Sequence, residues 1–249
     1  MEVAGISFVE TQIRRGVDKW HSKPLFPYVP GGLVAGRVRS IGAQVDQAWL
    51  GRRVVADTGE TGGFAEQAVA EVTELFSVPD ALGLPEAVAL HSDGSTAQGL
   101  VENARLRPGE WVLVEAAAGG VGSLLVQLAL TAGARVIGAA RGGRKLDLIR
   151  ELGAVAVDYS ERGWTKRVLE TTGGAGPDVA FDGVGGEIGR AAFDVTARGG
   201  RFSVHGASSG DVTTIDPAEA RSNGVEVIGI EQLFDFGPNT ARWAEQMMS

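Results

Sequence analysis

Hydrophobic positions in this chain change their arrangement near residue 98. Before it, short apolar runs are broken by polar residues and glycine: Val34-Ala35-Gly36-Arg37-Val38, Arg53-Val54-Val55-Ala56 and, after Gly62-Gly63, Phe64-Ala65-Glu66-Gln67-Ala68-Val69. Runs of this kind, bounded by turn residues, predict short strands. Phe8 to Arg14 is expected to form a short helical turn. Pro79 and Pro85 bracket a linker, and Pro85 suits the first turn of a helix running through Leu90.

Beyond residue 98 strand-like and helix-like stretches alternate. Six strand candidates are Trp111–Val114, Arg135–Ala140, Ala154–Val157, Asp178–Phe181, Arg201–Val204 and Val225–Ile228. Helical stretches such as Lys145–Leu152 and Trp164–Thr171 separate most of them, and Thr240–Met248 is a last helix candidate. Six strands with crossover helices are the number a complete doubly wound parallel sheet requires, so the fold class is α/β.

One segment of this pattern carries chemistry. The strand Trp111-Val112-Leu113-Val114 leads into Glu115-Ala116-Ala117-Ala118-Gly119-Gly120-Val121-Gly122, and Leu124, Leu125 and Leu128 follow at helical spacing. Strand, glycine turn and helix in that order are the dinucleotide-binding fingerprint. Glycines let the backbone approach a pyrophosphate closely, and the free amides at the start of the new helix face the phosphates. A tight strand–helix turn with no ligand is the alternative. The next strand, Arg135–Ala140, ends where an NAD-binding protein would offer Asp or Glu to the ribose 2′-hydroxyl. This chain offers Arg141, then Arg144 and Lys145 across Gly142-Gly143. Such cations grip a 2′-phosphate that an acid would repel, which favours NADPH over NADH; a solvated basic helix start is the bland alternative.

Composition narrows the classes. The 249 residues allow one large domain or two ordinary ones, and 44% hydrophobic residues suffice for a core. The 37 glycines are scattered and suit a fold with many tight turns. A net charge of −8 disfavours nucleic acid and anionic membranes as partners. Cysteine is absent, which removes disulfides and any thiolate-ligated metal and fits a cytoplasmic protein. No signal-peptide pattern opens the chain, and Gln127 and Arg135 interrupt its most apolar region.

Several short motifs in fixed order resemble one family. They are Ala4-Gly5-Ile6-Ser7-Phe8-Val9-Glu10-Thr11, Pro30-Gly31-Gly32 with Ala35-Gly36-x-Val38, Gly51-Arg52-Arg53-Val54, Gly63-Phe64-Ala65-Glu66, Thr96-Ala97, Ala116–Gly122, Asp182-x-Val184-Gly185-Gly186 and Gly206-Ala207-Ser208-Ser209-Gly210. The chain resembles a zinc-free medium-chain dehydrogenase/reductase of the quinone oxidoreductase type over nearly its whole length. The resemblance implies a partial GroES-like β-barrel over residues 1–98 and a doubly wound Rossmann sheet binding NADPH over 99–233. Residues 234–249 would start a return helix, and the active site would lie in the cleft between the domains. It implies hydride transfer to a quinone or to an alkene conjugated with a carbonyl, without metal. The alternative is a non-catalytic NADPH-binding sensor or structural protein, which would bind the nucleotide and stop.

Carried over residue by residue, the cofactor would be bound by Thr11, Thr96, Gly119, Gly120, Val121, Gly122, Arg141, Arg144, Lys145, Tyr159, His205, Gly206 and Ser208. Gly120 and Val121 would meet the pyrophosphate; Arg141, Arg144 and Lys145 the 2′-phosphate, with Tyr159 at the same end. Thr96, His205, Gly206 and Ser208 would line the cofactor toward the nicotinamide. Ordinary structural roles stand beside these for Tyr159 and His205. Three positions depart from the family pattern: Ser7 replaces an Asn, Gln12 a Tyr, and Leu33 the acid of Pro-Gly-x-Glu. Ser7 can still orient a carbonyl, but Gln12 cannot act as a general acid, so the proton donor is unassigned and water is a candidate. Set against the family, the catalytic domain also lacks opening strands and a return segment, so an inactive fragment is one expectation, with a homodimer expected of the full-length form. The expected partner is a small-molecule substrate, with no nucleic acid and no membrane.

Overall fold

The computed structural model describes residues 1–19, 21, 23–59 and 61–249. The chain divides into two compact units: Met1–Ser95 with Ala241–Ser249, and Thr96–Thr240.

The first unit opens with β1 (Val3–Ala4) and α1 (Phe8–Arg15). Helix α1 starts where a capping box closes: Ser7 Oγ accepts from Glu10 N at 3.2 Å, and Glu10 Oε2 accepts from Ser7 N at 2.6 Å. Its end is set by Gly16 in the left-handed region at φ 69°. Strands β2 (Leu33–Arg37), β3 (Arg53–Asp57) and β4 (Leu75–Ser77) follow. The four strands form an antiparallel sheet in the order β1-β2-β3-β4. Helix α2 (Leu84–Ala89), with proline in its first turn, runs into a π-helical turn at Leu90–Gly94 and then α3 (Ser95–Ala104). Ala35, Val55, Val78, Leu84, Ala87 and Val88 form this unit's core together with Ala244 and Met248.

Phe64–Val69 is not the strand its alternation suggests. Phe64 N is committed to Pro30 O at 2.8 Å, and Val69 is 92% exposed. Alternation gives a strand only where a ladder partner is at hand, and none pairs this run among the described residues. The ladder is extended instead by β4, whose three residues are too few to show a period.

The second unit contains β5 (Trp111–Glu115), α4 (Gly120–Thr131), β6 (Arg135–Ala140), α5 (Gly143–Glu151), β7 (Val155–Asp158), α6 (Trp164–Thr171), β8 (Val179–Asp182), α7 (Gly186–Val195), β9 (Arg201–Val204), α8 (Pro217–Asn223) and β10 (Glu226–Ile228). Helix α9 (Gly237–Met248) closes the chain. The six strands make one parallel sheet in the order β10-β9-β8-β5-β6-β7. This is the doubly wound order, in which the third and sixth strands form the two edges. Every residue of β8 and β9 is buried, as helices on both faces of a parallel sheet require. Leu113, Ile137, Ala180 and Phe202 join Phe193 and Trp164 in the core, with the Phe193 and Phe202 rings edge to face at 5.5 Å. Each of the six expected strands is present within one residue at either end.

Candidate functional site

The order of the second sheet fixes where a ligand can sit. Strand β5 lies between β6 and β8, so successive connections leave it in opposite directions. In open parallel sheets such a switch point opens a crevice at the carboxyl ends of the strands. The candidate residues of this unit other than Thr96 follow those ends: Gly119–Gly122 after β5, Arg141–Lys145 after β6, Tyr159 after β7, and His205, Gly206 and Ser208 after β9. Thr96 stands in the first turn of α3.

The turn after β5 is built for close approach. A Cβ on Gly122 would overlap Ala116 O, so only glycine lets α4 pack down on the end of β5. Ala116 itself takes φ 47°, a left-handed conformation that costs a non-glycine residue about 1–2 kcal/mol. Gly119, the N-cap, is exposed and offers no side-chain cap, and the first turn of α4 carries no acid. The free amides there face the crevice edge, a ready anion site.

Helix α5 repeats the motif with cations. Its N-cap, Gly142, has no side-chain cap, and Arg144 and Lys145 occupy its first turn beside Arg141. All three are exposed, and among the described residues none forms an ion pair. Cations at a helix N-terminus oppose the macrodipole, so this arrangement is unfavourable until an anion joins it. Asp158 sits at the end of β7, its carboxylate held below the usual range first by the Ser160 hydroxyl. It accepts from Ser160 N at 2.8 Å and from Gly142 N at 3.4 Å, fastening the loop before α5. The half-buried Tyr159 has its phenol pKa raised by burial, with Arg141 opposing.

The turns after β8 and β9 are tied together. His205 N and Gly206 N donate to Asp182 O at 2.8 and 3.2 Å, and Ser209 N donates to Val184 O at 2.9 Å. A Cβ on Gly206 would press on the Gly183 backbone. Burial lowers the His205 pKa to about 4, with Asp182 opposing, so its imidazole is neutral at physiological pH. Sequence reasoning passed over Glu115 and the carboxylate of Asp182, both fully buried. An acid ending an apolar strand was the available signal.

Ser7 and Thr11 belong to the other unit. The Ser7 oxygen caps α1, while Thr11 Oγ1 donates to Phe8 O at 2.7 Å and accepts from Gln12 Nε2 at 3.3 Å. A cavity of that unit is lined by Val34, Arg37, Val54, Ala56, Val69 and Leu75 among others, and none of the candidate residues lines it. Among the described residues no group of three His, Cys, Asp or Glu side chains is placed to hold a metal ion, and no helix is long and apolar enough to cross a membrane.

Comparison with known proteins agrees with this geometry. Residues 1–80 match the alcohol dehydrogenase GroES-like domain, and residues 120–247 match the zinc-binding dehydrogenase family. A quinone oxidoreductase-like protein 2 homolog of Nematostella vectensis is 37% identical over 214 residues, 85% of this chain and 58% of that protein. A quinone oxidoreductase of Pseudomonas aeruginosa is 34% identical over 214 residues, 85% of this chain and 65% of that protein. A mycobacterial protein solved in complex with NADPH superposes with a TM-score of 0.85 at 32% identity, over 98% of this chain and 76% of that one. The chain thus spans about three fifths of the length of the curated relatives it matches.

A doubly wound nucleotide-type sheet joined to a GroES-like domain defines the dehydrogenase/reductase class. Within it, the chain belongs to the medium-chain dehydrogenase/reductase family, on the quinone oxidoreductase branch.

Proposed function

We propose that this chain binds NADPH at the carboxyl edge of its parallel sheet and serves as a zinc-independent reductase. The substrate is a quinone or an alkene conjugated to a carbonyl. The observation that carries the reading is the pair of uncapped helix starts on adjoining turns, one flanked by three unpaired cations. Two such helix starts after neighbouring strands suit a pyrophosphate at α4 and a 2′-phosphate at α5. The NADPH complex of the mycobacterial relative and the quinone oxidoreductase relatives support the assignment.

Gly120 and Val121 then meet the pyrophosphate through backbone amides, while Gly119, whose amide donates to Ala116 O at 2.7 Å, and Gly122 let the backbone come close to it. Arg141, Arg144 and Lys145 neutralise the 2′-phosphate, with the Tyr159 ring beside them. Thr96, His205, Gly206 and Ser208 line the nicotinamide end, where a neutral His205 adds no charge. NADPH, when bound, supplies the hydride. Ser7 and Thr11 take their roles from the family resemblance: Ser7, whose oxygen accepts the Glu10 amide, keeps its hydroxyl proton to orient an acceptor oxygen. Gln12 is no acid, which leaves the proton to come from water.

The donor set argues against zinc. The sequence has no cysteine and three histidines. His21 pairs with Asp18 at 3.2 Å, His91 is buried edge-on to Phe76, and His205 belongs to the other unit. These residues do not fit a zinc site of either the structural or the catalytic kind.

Consumption of NADPH against a panel of quinones and enones tests the reading. Turnover with one of them, unaffected by chelator and lost in Gly122→Ala, is expected. Tight NADPH binding with no turnover on any acceptor, in this chain and in one extended to the length of its relatives, would show a sensor instead of a reductase.

A further inference from the structure

The switch point buries more acid than a phosphate cradle calls for. Glu115 ends β5 and Asp182 ends β8, and both are 0% exposed. The strands pair in parallel with Val114 opposite Phe181, which makes Glu115 and Asp182 neighbours on one face. Asp182 Oδ1 is satisfied: it accepts from Val184 N at 3.0 Å and Gly185 N at 2.7 Å, bending the chain toward α7. Asp182 Oδ2 and both Glu115 oxygens find no donor. Among the described residues no lysine or arginine pairs with either acid. Two ionised carboxylates side by side in a buried site repel, and unsatisfied oxygens there are costly. A single proton resolves both problems, because a protonated carboxyl becomes a donor to its neighbour.

We infer that Glu115 is a positioning residue: it carries a proton, donates it in a hydrogen bond to Asp182, and thereby locks the turn Asp182–Gly186 against the turn His205–Gly210. The functional consequence rests on the NADPH reading above. Burial first, and the Asp182 charge second, raise the Glu115 pKa well above the ordinary carboxyl range, with the nearby Val184 amide opposing.

The surroundings agree from every side. From beyond β7, Tyr159 is a neutral phenol whose own pKa Glu115 helps to raise. From beyond β9, His205 is neutral, and its buried Nδ1 has no partner. From the segment before α8, Thr213 Oγ1 is buried without a partner, and it and Asp182 Oδ2 stand where a Cβ on Gly189 of α7 would fall. Among the described residues no ion pair supplies a fixed cation in place of the proton. The backbone bonds from His205, Gly206 and Ser209 link the two turns, so a repulsion between ionised Glu115 and Asp182 is felt by both.

The pH dependence follows by linkage. A carboxyl whose folded pKa is raised contributes stability that is complete below the unfolded value of about 4.3 and is lost as pH rises through the folded value. Both stability and affinity at the two turns therefore fall on going from mildly acidic to alkaline pH.

The test uses wild type, Glu115→Gln, Glu115→Leu and Asp182→Asn. Infrared spectra of the nucleotide-free protein at neutral pH should show a protonated-carboxyl band that Glu115→Gln removes and Asp182→Asn shifts to a lower pH midpoint. Melting temperature should fall with rising pH more steeply in wild type than in Glu115→Gln, whose amide donates at every pH. The NADPH dissociation constant of wild type should rise by about tenfold for each pH unit above the folded pKa, stay flat in Glu115→Gln, and be weak throughout in Glu115→Leu. A wild type with no such band, or with the same pH profile as Glu115→Gln, would overturn the inference. If no variant binds NADPH, the nucleotide reading fails, and the infrared and melting profiles still decide whether Glu115 holds the proton.

Discussion

The two units of this chain hide their apolar surface in different ways. In the Thr96–Thr240 unit the strand interiors are continuous apolar runs covered on both faces: Val112, Leu113, Val114, Phe181 and Phe202 are each 0% exposed. In the other unit short antiparallel strands bury one face, and large apolar side chains stay in contact with solvent, among them Leu25 at 90%, Phe26 at 82% and Ile6 at 73%. The parallel unit also holds one ion pair at depth. Arg201, with its side chain 10% exposed, binds Glu110 through two parallel bonds of 2.8 Å and adds Ala104 O and Arg105 O. The lesson is one of division of labour. The inner strands of the parallel sheet are buried on both faces and end in the turns proposed to take an anion, while most of the large exposed apolar side chains belong to the other unit.

Core truncation is the largest lever on this contrast. Phe202→Ala should cost about 3–5 kcal/mol, and Val55→Ala, in the antiparallel core, roughly half as much. Denaturant melts of the two variants check it, and equal losses would break the comparison. Limited proteolysis should cut first between the first unit's strands, leaving a resistant fragment that begins near Val101; uniform resistance would say the units are equally well packed.

Next in size is the buried ion pair. Arg201→Met should cost about 3–5 kcal/mol if Glu110 stays charged, and less once acid neutralises it. The Glu110 pKa is lowered, first by the Arg201 hydrogen bond. A depressed folded pKa means the stabilisation is present above the unfolded value of about 4.3 and is lost as pH falls through the folded value. Wild type should therefore lose stability on acidification more steeply than Arg201→Met, a difference that paired acid titrations measure. The smallest effect is expected at Ala116. Glycine there relieves a left-handed alanine but frees the unfolded chain, so Ala116→Gly should change stability by no more than about 1 kcal/mol. A loss well beyond that in a thermal melt would mean the Ala116 methyl packs in a way its backbone does not suggest.

Much of the second unit was legible because buried parallel strands read as unbroken apolar runs, and the glycine turn after Trp111–Val114 marks where strand passes into helix. The first unit was harder. Val3–Ala4 and Leu75–Ser77 are too short to show a period, whereas Phe64–Val69 has the period without a partner. The π-helical turn at Leu90–Gly94 left no mark in the spacing of Leu90 and its neighbours. Arg141, Arg144 and Lys145 could be found from their distance to the fingerprint. The Glu115–Asp182 pair could not, because only the adjacency of β5 and β8 in the sheet brings two residues so far apart in sequence together.

The central claim is that the three unpaired cations after β6 await a 2′-phosphate. Titration of NADPH and NADH against wild type and Arg141→Ala tests it most directly. Charge-assisted contacts worth about 1.5–3 kcal/mol each predict NADPH binding tighter than NADH by on the order of 10-fold to 1000-fold. Arg141→Ala should weaken NADPH by about 10-fold or more and leave NADH unchanged. Equal affinities for the two nucleotides, or an Arg141→Ala variant indistinguishable from wild type, would contradict the account.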